Sequence, residues 1–185
     1  MYRGISPLRY PGGKSFLSKF LVDVIDYNYP IDTYIEPFAG VAGAALALLI
    51  NNHVKQIILN DADDLIYKFW HVTLNRSKEL AEKIKATPIN IKEWKKQKAI
   101  LSNKHADDLD IAFATLFLNR CNRSGIIFTG GPIGGYEQAG TWKVDARFNK
   151  ENIIDRIKTI AQYKGQIKIY NFDAMQLPLF HRTLI

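Results

Sequence analysis

A glycine-containing turn, residues 36–43 (EPFAGVAG), lies directly between a predicted strand and a predicted helix. Such a turn lets the main chain approach a ligand closely at a helix N-terminus, the usual place for a nucleotide-type cofactor at the carboxyl end of a parallel strand. The next predicted strand ends in Asn60 and Asp61, and Asp61 lies 21 positions after Gly40. A carboxylate at about this spacing holds the hydroxyl pair of a ribose in such sites. Turn and carboxylate together predict a nucleoside-type cofactor, whereas the turn alone is equally consistent with a tight strand-to-helix connection.

A second glycine pair, Gly12 and Gly13, precedes Lys14 at the start of the first predicted helix. The segment is only partly similar to a phosphate-binding loop. That loop requires glycine where this chain has Leu8, and it must follow a strand, which the first residues do not form. A P-loop is therefore excluded, and the segment needs another explanation.

The elements that must position these residues alternate between helix and strand. Apolar spacing predicts strands over residues 33–36, 55–59 and 166–170, and helices over residues 15–27, 42–50, 61–74, 107–119 and 150–163. Ser15 is the predicted N-cap of the first helix. A strand, a helix and a strand in succession predict parallel pairing with a right-handed crossover. The chain is therefore expected to have an α/β fold with three parallel strands flanked by helices.

Two segments between residues 76 and 147 depart from this alternation. Residues 76–104 are rich in lysine and have a helical pattern, which predicts solvated surface helices with at most a nonspecific attraction to phosphate. Residues 124–142 contain six glycines and Pro132, which predict a loop and hairpin. We interpret the whole stretch as an insertion into the core.

Composition limits the class of protein. The chain has 25 lysine and arginine residues against 18 aspartate and glutamate residues, and its formal net charge of +7 is consistent with an acidic partner such as nucleic acid. Cys121 is the only cysteine, which excludes an internal disulfide and fits a reducing cytoplasm. The four histidines lack ligand spacing, so no metal is expected. No signal-peptide pattern opens the chain, and the longest apolar run, residues 42–50, is far shorter than the roughly 20 residues that cross a bilayer.

Three motifs together resemble the Dam-like DNA adenine methyltransferases: residues 9–14 (RYPGGK), residues 36–40 (EPFAG) and Asn60-Asp61. The resemblance covers nearly the whole chain, in the family's order. It implies an incomplete Rossmann-like methyltransferase core, residues 1–75 and 148–185, with a target-recognition insertion over residues 76–147. It also implies a cytoplasmic protein of a bacterium or phage. One departure is Ala42, which stands where many members have a second glycine.

The family binds S-adenosylmethionine, and the resemblance assigns this cofactor to particular positions of the chain. Tyr10 and Lys14 are expected to contact it, Asp61 to hold its ribose, and Asp173, after the third strand, to approach its adenine. The turn after the first strand supplies the remaining expected contacts, from Glu36, Pro37, Phe38 and Gly40.

The basic segment 117–125 (FLNRCNRSG) and the glycine-rich stretch after it resemble the family's target-recognition region, and imply double-stranded DNA as the partner. Arginine on a rigid turn can make paired hydrogen bonds to guanine, and asparagine can read adenine or bond phosphate. The alternative for Arg120 and Arg123 is a solvated loop with no role in recognition. The expected DNA contacts are Arg9, Asn119, Arg120, Asn122, Arg123 and Lys143.

The family's catalytic segment is not found in this sequence. Members carry a strand with an acidic or amide residue, two adjacent prolines and an aromatic residue, which together receive the flipped adenine. None of the seven prolines here is adjacent to another. We therefore predict no catalytic residues in this chain and doubtful activity of the chain alone. Because the strand that normally covers the other edge of the first strand is also expected to be missing, we predict self-association or a partner that completes the sheet.

Three interpretations of function are open at this point. The first is a site-specific DNA adenine methyltransferase that lacks its catalytic segment here. The second is an inactive remnant that binds DNA or cofactor. The third is an unrelated nucleotide-binding α/β protein, which would make the opening motif and the recognition segment coincidences.

Overall fold

A computed structural model describes residues 4–9, 17–28, 30–103 and 105–176 of the chain. At its centre is a three-stranded sheet in the order β1 (Thr33–Glu36), β2 (Gln56–Asn60) and β3 (Ile167–Tyr170). Both pairings are parallel, with β2 in the middle. The α/β fold and the parallel strands predicted from the sequence are thereby confirmed.

Seven α-helices accompany the sheet within the described residues. They are α1 (Ser18–Tyr27), α2 (Gly43–Ile50), α3 (Asp64–Asn75), α4 (Ser77–Ala86), α5 (Ile91–Leu101), α6 (Asp108–Cys121) and α7 (Lys150–Gln162). The middle strand, QIILN, is buried from its second residue to its last. A near-continuous apolar run of this kind is typical of a parallel strand that is covered on both faces.

The helix α2 connects β1 to β2 and is buried over seven of its eight residues. Its sequence, GAALALLI, has no polar side chain, so the helix is stable only when it is packed inside the protein. Ala42 caps it with a φ of +49°, in the left-handed region that costs a residue with a Cβ about 1–2 kcal/mol. Glycine avoids this cost, in agreement with the resemblance, in which many members have glycine at this position. The complete burial of Ala42 fits a small side chain.

The helix α3 begins at Asp64, three residues later than the pattern predicts. The reason is local, because the side chain of Asp63 accepts a hydrogen bond from the N–H of Leu65 at 2.9 Å and caps the helix there. Asp61 consequently lies outside the helix, at the tip of β2. The predicted cap of α1, Ser15, falls outside the described residues.

The helices α4, α5 and α6 make up the first part of the predicted insertion, and their helical character is confirmed. Leu80, Ile84 and Trp94 are buried in the same hydrophobic cluster as Ile57 of the sheet. The helix α6 packs against both α3 and α5, and ten of its 14 residues are buried. The domain boundaries at residues 76 and 148 stay a prediction.

The glycine-rich stretch 124–142 forms successive turns and not the hairpin that its composition predicted. Within residues 105–176, its antiparallel pairing is one isolated bridge between Asn122 and Pro132. Glycine is required where the turns close on themselves: a Cβ on Gly130 would lie 2.3 Å from the carbonyl oxygen of Ile126. The turns are held by side-chain bonds, so paired strands are not needed to stabilise them.

No helix in the described part of the chain is both long and apolar enough to cross a membrane. The same ranges bring no three His, Cys, Asp or Glu side chains into a group that could hold a metal ion. Within those ranges β1 pairs only with β2. Self-association, or a partner along β1, stays a prediction, which sedimentation velocity over a range of concentrations tests.

Cys121 is expected to resist thiol reagents in the folded protein. Its side chain is buried in α6, and this burial, with a smaller effect of Asp145, raises the pKa of the thiol above its usual range. Because the reactive form is an exposed thiolate, we expect only slow reaction with Ellman's reagent in buffer and complete reaction in urea. Rapid labelling of the native protein would contradict the buried position.

Candidate cofactor and nucleic-acid site

A single buried side chain, Asn60, ties together the segments that follow the three strands. Its amide nitrogen donates to the carbonyl oxygens of Pro37 and Phe172, both at 3.0 Å, and its amide oxygen accepts the N–H of Phe172 at 3.0 Å. The N–H of Ala39 in turn donates to the main-chain oxygen of Asn60 at 2.8 Å. The carboxyl ends of β1, β2 and β3 are therefore held at one edge of the sheet. Sequence reasoning treated Asn60 only as the neighbour of Asp61, although a polar residue closing an apolar strand could have indicated this role.

Asp61 and Gly40 meet as their spacing predicted. One carboxylate oxygen of Asp61 accepts the N–H of Gly40 at 2.7 Å, and the other accepts the N–H of Asp63 at 3.0 Å. An ionised carboxylate offers about four lone-pair positions, so two remain for ligand hydroxyl groups. The bond fixes the turn after β1 against the tip of β2.

The turn after β1 is also held from inside the protein. The indole N–H of Trp70 donates to the carbonyl oxygen of Gly40 at 3.0 Å. Glu36 is buried, and its carboxylate accepts the N–H of Ala45, in the first turn of α2, at 3.3 Å. A carboxylate at a helix N-terminus is favoured by the helix dipole and by the unpaired N–H groups there. The turn that is expected to contact the cofactor is thus fixed by hydrogen bonds within the protein.

A cavity of about 460 Å³ opens beside this turn. Its size lies within the roughly 300–1,000 Å³ of small-molecule and cofactor sites. One wall is formed by the strand-end loops and α3, and the other by the N-terminal segment and the glycine-rich turns. The lining residues are Leu8, Glu36, Phe38, Ala39, Gly40, Val41, Gly43, Asp61, Asp63, Ile66, Asn119, Gly125, Ile126, Ile127 and Phe128.

The cavity brings together some of the expected cofactor residues and leaves others out. Glu36, Phe38, Gly40 and Asp61 line it, whereas its described lining does not include Pro37 or Asp173. Asp173 is exposed, and its carboxylate accepts the N–H of Met175 at 2.9 Å in the short helical turn Ala174–Gln176. The two expected contacts from the opening motif, Tyr10 and Lys14, lie outside the described residues.

The second wall of the cavity was not foreseen from the sequence. Leu8, Asn119 and the turn 125–128 come from distant parts of the chain, and they face the glycine turn. Phe128 is 58% exposed and Phe38 is 68% exposed, so large apolar side chains stand at an open cavity. Exposed apolar side chains that lie together around a cavity are typical of a binding groove.

Arg9 and Arg120, two of the expected DNA contacts, lie half-buried beside each other. Arg120 donates from Nε to the carbonyl oxygen of Pro7 at 2.6 Å, and Arg9 donates to the carbonyl oxygen of Arg120 at 3.4 Å. Burial, with repulsion from Arg156 and Arg9, lowers the pKa of Arg120 to about 10. Within the described residues neither guanidinium forms an ion pair with a carboxylate. The pair therefore concentrates positive charge next to the cavity.

Asn119 and Asn122 differ from the expectation of direct DNA contact, because both are buried in this structure. The amide oxygen of Asn122 accepts the indole N–H of Trp94 at 2.6 Å, and its nitrogen donates to the carbonyl oxygens of Ile126 at 2.6 Å and Ile127 at 3.1 Å. The amide of Asn119 is bonded in the same way to the main chain of Arg9 and Gly125, so both amides are used inside the protein. Asn119 directly follows the buried run 111–118 (IAFATLFL) of α6, and this position was the sequence signal for an internal role.

Arg123 and Lys143 are the expected DNA contacts with exposed side chains. Arg123 follows the end of α6, and Lys143 lies where the glycine-rich turns return, its amine bonded to the carbonyl oxygen of Gln138 at 2.5 Å. Each can reach an external partner without rearrangement of the fold.

A parallel sheet with a glycine turn after its first strand and a carboxylate at the tip of its second has the architecture of a partial Rossmann-like methyltransferase. Residues 10–180 match the family of D12 class N6 adenine-specific DNA methyltransferases, and the chain belongs to this family. The resemblance to Dam-like enzymes is confirmed, and the interpretation as an unrelated nucleotide-binding protein is excluded. The comparison with curated proteins gave no match.

Proposed function

We propose that this chain binds S-adenosylmethionine in the cavity beside Gly40 and double-stranded DNA across the adjoining basic surface. It would do so as part of a site-specific methyltransferase acting on the exocyclic amine of adenine. The observation that carries the proposal is the 2.7 Å bond between Asp61 and the N–H of Gly40 at the cavity. This bond joins the glycine turn to the carboxylate, the two features from which a nucleoside-type cofactor was predicted. The reaction of the family needs a methyl donor.

The residues present fit this cofactor. Space is open around Gly40, since a Cβ built there would meet no atom within 4 Å. Asp61 keeps free lone pairs for the ribose hydroxyls, and Phe38 and Ile66 offer apolar surface for an adenine ring. The cofactor supplies an electrophilic methyl group when bound, and the chain's own residues bind and orient it. Contacts from Tyr10, Lys14, Pro37 and Asp173 are part of the proposal.

Binding to DNA is supported by the charge of the chain and its distribution. The formal net charge is +7, and Arg9, Arg120 and Arg123 lie at or near the wall of the cavity formed by the turn 125–128. Lys and Arg contacts to phosphate release counterions, so the affinity depends on salt. Asn119 and Asn122 would support this surface from inside and would not touch DNA.

Replacing Arg123 or Lys143 by alanine is expected to weaken DNA binding and to lower the slope of log affinity against log salt by about one for each phosphate that is no longer neutralised. Fluorescence anisotropy with a labelled duplex at several salt concentrations measures both quantities. Lys55→Ala is the matched control, because Lys55 is exposed and paired with Asp32 at the opposite end of the strands. An unchanged slope in both test variants would remove these residues from the DNA surface.

Catalysis by these residues alone is not expected. The family's adenine pocket requires adjacent prolines, and the 185 residues contain none. We propose that the chain supplies cofactor binding and DNA recognition, and that methyl transfer requires a segment of the Pro-Pro kind. An inactive DNA- or cofactor-binding protein stays the alternative.

The experiment is titration calorimetry of the chain with S-adenosylmethionine and with a DNA duplex, together with a methyl-transfer assay that uses radiolabelled cofactor. We expect heat of binding from both ligands and no incorporation into adenine. Incorporation by the pure chain would show that the adenine pocket is complete. A folded sample that binds neither ligand would refute the proposed function.

A further inference from the structure

We propose that Asn119 is a positioning residue that couples cofactor binding to DNA binding. The inference rests on the proposed function, and it gives a role to a buried amide that the sequence had assigned to DNA contact. It is carried by the contacts of one carboxamide, which joins three parts of the chain.

The side chain of Asn119 forms hydrogen bonds with both the N–H and the carbonyl oxygen of Arg9. Its amide oxygen accepts the N–H of Arg9 at 2.7 Å, and its nitrogen donates to the carbonyl oxygen of Arg9 at 2.7 Å. The same nitrogen donates to the carbonyl oxygen of Gly125 at 3.0 Å. Both of its hydrogens are therefore used, and the residue is only 2% exposed. No donor remains for a base or a phosphate.

Two of the connected parts serve different ligands in the proposed function. Arg9 is the first residue of the motif 9–14, in which Tyr10 and Lys14 are proposed to contact the cofactor. Gly125 begins the turn 125–128 in the second wall of the cavity, directly after the exposed Arg123 and Ser124. Asn119 itself belongs to α6. A displacement of the turn by DNA must therefore act, through Asn119, on the first residue of that motif.

Gly125 packs closely against Arg9 and Asn119. Gly125 has a φ of +74°, and a Cβ on it would lie 3.0 Å from the carbonyl oxygen of Arg9 and 3.3 Å from the amide nitrogen of Asn119. Close-packed interiors of this kind transmit displacement instead of absorbing it. Three main-chain segments thus move together or lose hydrogen bonds.

The test is a binding cycle. The affinity for S-adenosylmethionine is measured by calorimetry with and without a saturating duplex, and the ratio of the two values is the coupling factor. By linkage the same factor describes the effect of cofactor on DNA affinity, and typical factors are about 5 to 150. We expect a factor in this range for the unaltered chain.

Asn119→Asp is the informative variant because it keeps the size of the side chain and its acceptor. It replaces the two N–H donors by an oxygen that faces the carbonyl oxygens of Arg9 and Gly125. We expect the coupling factor to fall to about one while each ligand still binds. Asn75→Asp is the matched control, since Asn75 makes one exposed bond, to His71, at the end of α3. It should keep the original factor.

A purely structural role would have a different signature. Partial unfolding would raise the apparent factor instead of lowering it, because a saturating duplex shifts the population back to the folded form and removes the loss of cofactor affinity. Should Asn119→Asp fail to fold, Gly125→Ala disturbs the same contact from the other side and is expected to reduce the factor. A folded variant of either kind that retains full coupling would overturn the proposal. If the unaltered chain bound the two ligands independently, the coupling proposal would be wrong, but the proposed function would still stand. Binding of neither would instead refute that function.

Discussion

Asp61→Ala is expected to weaken S-adenosylmethionine binding by about 10- to 100-fold. Hydrogen bonds to a charged group are worth about 1.5–3 kcal/mol each, and 1.4 kcal/mol is a factor of ten in affinity. The variant removes the proposed acceptor for the ribose hydroxyls. It also leaves the N–H groups of Gly40 and Asp63 without the carboxylate that accepts them at 2.7 and 3.0 Å, so the turn after β1 loses one of the hydrogen bonds that hold it.

Titration calorimetry measures this loss, and Asp32→Ala provides the matched control. Asp32 is an exposed carboxylate just before β1, paired with Lys55 at 2.9 Å, and it lies at the end of the strands opposite to the cavity. It should leave the affinity unchanged. Asp61→Asn is a milder variant that keeps one acceptor for Gly40. If Asp61→Ala bound the cofactor as tightly as the unaltered chain, the ribose would have to lie elsewhere.

Asn122→Ala should lower the free energy of unfolding by about 3 kcal/mol or more. The variant leaves three groups without their side-chain partner: the buried indole N–H of Trp94 and the part-buried carbonyl oxygens of Ile126 and Ile127. Each orphaned group costs about 1–3 kcal/mol. For a chain of this size a loss of about 3 kcal/mol corresponds to a melting temperature lower by roughly 6–12 °C.

Urea titration and calorimetric melting measure the change in stability. Asn75→Ala is the comparison, because it removes a single exposed hydrogen bond and should alter stability by less than about 0.5 kcal/mol. The experiment also separates two roles for Asn122. If Asn122 contacted DNA, its replacement would lower the affinity for DNA and leave the stability unchanged. Because Asn122 is buried and bonded to other parts of the chain, we expect its replacement to lower the stability first. A fully stable variant with weak DNA binding would restore the original expectation.

Much of the fold could be predicted from the sequence because its signals are local. The apolar runs at residues 56–60 and 43–50 indicate a buried strand and a buried helix within a few residues, and a strand, helix and strand in succession require a parallel pair. The meeting of Gly40 and Asp61 follows from the same geometry, since both stand at carboxyl ends of neighbouring parallel strands.

Two predictions about the elements were wrong, and both concern places where hydrogen bonds from side chains hold the main chain. Six glycines in residues 124–142 predicted a hairpin, but Asn122 and Gln138 hold that stretch as turns through bonds to main-chain oxygens. The start of α3 was placed too early because the cap made by Asp63 was not recognised. Such hydrogen bonds depend on the positions of individual atoms, so they leave no periodic pattern in the sequence.

The sequence by itself determined the class of fold, the glycine turn, the carboxylate facing it and the resemblance that the family match confirmed. These depend on periodicity and on motifs a few residues long. Only the tertiary structure decided that Asn119 and Asn122 point inward, that Asn60 ties three strand ends, and that residues near positions 8 and 125 complete the cavity. The physical reason is that each of these needs contacts between segments as many as 112 positions apart, and burial of an amide is fixed by the partners that satisfy it.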